Sequence, residues 1–85
     1  MQTGYQDGMQ IALQQIAEYQ DKAASLLEGE PTEGDLRRAY HCHGMAQGVL
    51  ILLRNLEVIS VADFGKVFTR QLEISERINE LWKER

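Results

Sequence analysis

The chain has 85 residues, a formal net charge of −4 and a single cysteine. A chain this short buries only about 60–65% of its unfolded surface, so its core is marginal, and association, a metal or disulfides commonly supply the missing stability. One cysteine excludes an internal disulfide and points to a reducing, cytoplasmic compartment.

The opening MQTGYQDGMQ is polar and carries no basic n-region or apolar run of a secretory leader. The longest apolar run, Val49–Leu53, falls far short of the roughly 20 residues that span a bilayer. A soluble protein is therefore expected, with no membrane partner. Residues 1–35 hold seven acids and one base (Lys22), whereas 36–85 hold six acids and eight bases. Neither part has the concentrated basic patch of a duplex-binding domain.

Apolar residues recur at helical spacing throughout, and no segment alternates like a strand. The first helix is expected over about 4–28. Thr3 and Gln6 form a capping-box pattern, and Met9, Leu13, Ile16, Gln20, Ala23 and Leu27 make one stripe with a single polar member. The segment EGEPTEGD then breaks the helix, with the only proline, Pro31, between two glycines.

The second helix is expected over about 33–57, with Thr32 as N-cap and Asp35 placed for a capping box. Its apolar arc is wide. Leu36, Ala39, His43, Ala46, Leu50 and Leu53 line one side, and Cys42, Met45, Val49, Leu52 and Leu56 the adjacent one. Two apolar stripes imply two neighbours, which makes this the central helix.

The third helix is expected over about 61–83, opened by Ser60 and Asp63, with Ile59 and Phe64 spaced as a hydrophobic staple. Val61, Phe64, Val67, Phe68, Leu72, Ile74, Ile78, Leu81 and Trp82 supply its buried face. Short connections make neighbouring helices antiparallel. The expected fold is therefore all-α, one domain over residues 1–85, an antiparallel up-down-up three-helix bundle assembling as a homodimer.

The stretch HCHGMAQG (residues 41–48) is the only one that looks like chemistry. Helical residues two apart point about 200° away from each other, so His41 and His43 cannot chelate one ion together. No carboxylate stands three or four residues from either, the spacing that helical histidine metal sites use. On this reading His43 is a core histidine with Tyr19 and Gln20 as candidate partners, and Cys42 is a small core residue. A metal- or thiol-dependent site at His41, Cys42 and His43, completed across a dimer, is the rival.

Gly44 and Gly48 share a face with Tyr40, His41 and Ile51. Glycine costs about 1 kcal/mol relative to alanine inside a helix, so a close approach is expected there, either within the monomer or at an interface between subunits. Tyr40, His41, Gly44, Gly48 and Ile51 are the expected contact residues. Arg37, Arg38, Lys66 and Arg70 are the cations a nucleic-acid binder would use, but the third helix opens with SVADFGKVF, without the bases and amides of a recognition helix. The acids of the first helix, Asp7, Glu18, Asp21 and Glu28, are read as a solvated face.

No serine–histidine–acid set, paired histidine–carboxylate motif or nucleotide-cradling loop occurs. The expectation is a non-enzymatic protein-interaction module without a cofactor: a regulator, adaptor or inhibitor that binds another protein. In its compact, glutamine-rich helical character the chain resembles the accessory proteins of bacteria, plasmids and phages.

Overall fold

A computed structural model describes residues 4–85, with side chains from Gly8 onward. The capping pattern at Thr3 and Gln6, and the side chain of Asp7, lie outside the described residues. Three helices follow one another, α1 (Gly4–Leu26), α2 (Glu33–Asn55) and α3 (Val61–Lys83). They pack into an all-α rod of 52 × 18 × 16 Å, and α2 touches both other helices more extensively than these touch each other.

Local chemistry explains each boundary. α1 ends at Leu26 rather than at the expected Glu28. The Leu27 and Glu28 amides bond three residues back to Ala24 and Ser25 (3.1 and 3.3 Å), and Gly29 takes φ 66°, where a side chain would be strained. Thr32 then caps α2 reciprocally: its hydroxyl accepts from the Asp35 amide (3.1 Å), and its own amide donates to the Asp35 carboxylate (3.0 Å).

α2 stops at Asn55, two residues before the expected Glu57. The Glu57 and Val58 amides reach back to the carbonyls of Arg54 (3.0 Å) and Leu53 (3.2 Å), which is the Schellman arrangement. Glu57 occupies its left-handed position at φ 57°, where glycine is usual. Ser60 opens α3 by accepting from the Asp63 amide (3.1 Å). Ile59 and Phe64 are half-buried against one cluster, as a staple requires.

The core has two apolar parts. Ala23, Leu27, Leu36, Ala39, Cys42, Ile74, Ile78 and Leu81 form one. Ile16, Ala46, Leu50 and Leu53 form the other, packed against Val67, Phe68 and the stacked Phe64. Between them in sequence, on all three helices, lies a polar layer centred on Gln71, which is 1% exposed.

Within that layer Gln71 accepts from Gln20 Nε2 (3.0 Å), and its own amide donates to the His43 carbonyl (3.1 Å) and to Gln47 Oε1 (2.8 Å). His43 Nε2 lies 3.0 Å from the Gln71 carbonyl. A carbonyl only accepts, so Nε2 carries the proton. Gln20 also donates to the Val67 carbonyl at 3.2 Å. No buried side-chain nitrogen or oxygen among the described residues lacks a partner.

Two expectations about burial and one about a hydrogen-bond partner are corrected. The second stripe of α2 is only partly covered: Cys42 is buried and Val49 half-buried, but Met45, Leu52 and Leu56 are exposed. On α3, Val61 is 89% exposed, and Leu72 and Trp82 also reach solvent. A three-helix rod covers an arc of α2 that two neighbours can subtend, and these residues fall outside it. The partner of His43 is also not Tyr19 or Gln20. It is the main chain of α3, because the imidazole projects to the α3 side of α2.

Candidate functional site

The outer face of α2 carries the five residues the sequence singles out. Tyr40 (67% exposed), His41, Gly44, Gly48 and Ile51 all lie on the side turned away from the core. A Cβ placed on either glycine would meet no neighbouring atom within 4 Å. The close approach within the monomer is thereby ruled out: neither glycine is needed for packing inside this chain. The 3.6-residue repeat puts Tyr40 and Ile51 on the flank toward α3 and His41 and Leu52 on the flank toward α1. The glycines make a low track along the middle.

Toward one end this track widens into an open groove of about 790 Å³ between α2 and α3, lined by Tyr40, His41, Gly44, Met45 and Trp82 among others. Arg37 lies over the Trp82 ring, its guanidinium carbon 6.0 Å from the centroid, and holds Glu33 at 2.7 Å. At the other end Arg54 lies 5.8 Å over Phe64. Large apolar side chains with unfilled space between them are the usual marks of a surface that docks something.

The histidine–cysteine stretch is distributed over three environments. His41 is exposed on the outer face, Cys42 is buried among α1 and α3 residues, and His43 is tied into the polar layer. Of the three, only His41 is free to meet another chain without unfolding this one. Among the described residues no group of three or more histidine, cysteine, aspartate or glutamate side chains is placed to share a metal ion.

The cations behave similarly. Arg37 pairs with Glu33 (2.7 Å), Arg38 with Asp35 (2.8 Å) and Arg70 with Asp21 of α1 (2.7 Å). Three of the four cations considered for nucleic-acid contact are therefore matched by carboxylates, which weakens the positive field they could present. The same contacts act on the acids. The Thr32 amide, followed by the Arg38 guanidinium, holds the Asp35 carboxyl below its ordinary range, and hydrogen bonding to Arg37 does so for Glu33.

Sequence reasoning missed Leu52, Met45 and Trp82 as parts of the exposed surface, having assigned Met45 and Leu52 to an apolar stripe of α2 and Trp82 to the buried face of α3. It also missed Gln71. The signal available for Gln71 was Gln20: a lone glutamine on an otherwise apolar stripe needs a polar partner on a facing helix.

No helix among the described residues is long and apolar enough to cross a membrane. No protein-family model, no curated protein and no solved structure matches the chain.

Proposed function

We propose that the protein is a small protein-interaction module, a regulator, adaptor or inhibitor that works in the reducing cytoplasm by docking the outer face of α2 rather than by catalysis. Its architecture on this reading is an antiparallel up-down-up bundle that assembles as a homodimer. Shared clusters support the antiparallel order: Leu27 and Leu36, next to the first turn, belong to one cluster, while Ile16 and Leu50, far from it, belong to the other.

The observation that carries the reading is the pair of glycines with open space above them. Each costs the helix about 1 kcal/mol relative to alanine, and nothing among the described residues requires either one. Beside them Tyr40, Met45, Ile51 and Leu52 leave apolar surface in water. Both features make sense where another helix lies against the track, since glycine lets two backbones approach to the short end of the usual 8–10 Å interaxial range.

Gly48→Leu tests this directly. The substitution adds a strong helix former at an exposed site, so the isolated chain should keep its circular dichroism spectrum and unfold no more easily than the parent. Self-association measured by sedimentation should weaken by tenfold or more, the effect of about 1.4 kcal/mol. A variant that associates as well as the parent would remove the track from the function.

A further inference from the structure

Resting on the reading that the protein self-associates, we infer that the occupant of the α2 track is α2 of a second copy, running in the opposite direction about a two-fold axis beside Ala46. The track is self-complementary. A two-fold axis perpendicular to the helix and parallel to the contact plane reverses its direction but leaves each flank opposite the same flank of the other copy. Residues equally far before and after Ala46, on the same flank, are then brought together.

Tyr40 meets Ile51 of the partner subunit on the α3 flank, and His41 meets the partner's Leu52 on the α1 flank. Gly44 meets the partner's Gly48 on the midline. At the ends Arg37 meets the partner's Asn55, whose carboxamide oxygen can accept from the guanidinium. All of these residues are exposed in the single chain. Four pairs on three lines of one helix thus share nearly the same centre.

Charge selects this direction over its alternative. Residues 36–56 contain three arginines, two histidines and no acid. A parallel pairing in register would set Arg37, on the midline, against the partner's Arg37. The antiparallel pairing separates them, and it keeps Arg38 and Arg54 apart because they project on opposite flanks. Area sets the strength. The track from Arg37 to Asn55 is about 27 Å long at 1.5 Å per residue. Across the 18 Å width of the rod it offers roughly 500 Å² per copy. The total of about 1,000 Å² lies at the lower limit of specific interfaces, and a dimer dissociating on the order of micromolar is expected.

The test uses the full chain with Tyr40→Cys and Ile51→Cys prepared as separate variants, both at exposed positions. Cys42 stays in place, since its burial shields it, and the unsubstituted protein is the oxidation control. Light scattering first establishes the mass. In the antiparallel dimer Tyr40 and Ile51 of one chain lie about 16 Å apart along the axis. Each variant oxidised alone then holds its thiols beyond disulfide reach, whereas the mixture brings unlike thiols together. A cross-linked dimer at least about tenfold more abundant in the mixture than in either variant alone is expected. Cross-linking of the Tyr40→Cys protein with itself would overturn the antiparallel direction while leaving the dimer standing. A dimer mass without cross-links would move the interface to another face and overturn the inference. A monomer at every concentration would overturn the inference together with the self-association it rests on.

Discussion

Truncating Gln71 to alanine should destabilise the bundle more than any other loss of a single amide. Its carboxamide is buried and makes three hydrogen bonds, with Gln20, Gln47 and the His43 carbonyl. Each buried group left without its partner costs about 1–3 kcal/mol. Gln20 keeps its bond to Val67, and half-buried Gln47 can turn toward water, so the lower part of that range applies to both. Adding the void left by the side chain gives a loss of about 2–4 kcal/mol. That is a large share of the roughly 4–13 kcal/mol expected for a chain of this size. Urea unfolding followed by far-ultraviolet circular dichroism, at fixed protein concentration, should show the midpoint falling by roughly 1–3 M with little change in slope. Replacing Gln20, Gln47 and Gln71 together with leucine removes every member of the side-chain network at once and should restore much of the loss. A cost below about 1 kcal/mol for Gln71→Ala, or single-variant costs that simply add in the triple variant, would refute a coupled polar layer.

Glu57→Gly should raise stability by about 0.5–1 kcal/mol, because it relieves a left-handed residue at the end of α2 without removing a side-chain contact. The melting temperature should rise by a few degrees. Leu50→Ala, at a fully buried site in the second apolar cluster, should lower the unfolding free energy by about 2–5 kcal/mol, read from the same urea curves. The lowered pKa of Asp35 makes its contribution complete above the ordinary carboxylate range and lost as pH falls through the lowered value. Asp35→Asn should therefore flatten the acid limb of the stability profile, measured as urea midpoints from about pH 5 down to 2.

The helices and their capping were legible because those signals are local. Thr32 with Asp35 and Ser60 with Asp63 act within one turn, and the spacing of Ile16, Gln20, Ala23 and Leu27 fixes a face without reference to anything else. Coverage was not legible. Periodicity says which way Met45, Leu52 and Leu72 point, yet whether a neighbour reaches them depends on how much of the α2 circumference two other helices can subtend. Gln71 was hidden for the opposite reason. Within RQLEISER it reads as part of a mixed polar surface, and only the meeting of three helices at His43 and Gln20 turns that position inward. The outer face itself was read from the glycines, whose cost in a helix is local. That no described neighbour within the chain comes close to them needed the third dimension.

The stretch that most resembles a reactive centre is better understood as one cross-section of a central helix. Around a single turn, His41 meets solvent, Cys42 meets hydrophobic neighbours and His43 meets the polar layer. Three adjacent residues with chemical side chains are dispersed by the 100° step from one to the next, and that dispersal is why their adjacency in sequence carries so little. The same step gathers Tyr40, Gly44, Gly48 and Ile51, which stand apart in sequence, onto one side. The chain spends part of its small interior on three glutamines and a histidine while leaving Tyr40, Met45, Leu52 and Leu56 outside. In a domain with so little core, that distribution leaves stability to be gained by burial against another chain, and the stability of a self-associating chain should then depend measurably on protein concentration. The proposed two-fold contact supplies the link: raising the concentration should shift the urea midpoint of the parent upward, and Gly48→Leu should move that dependence to at least about tenfold higher concentration.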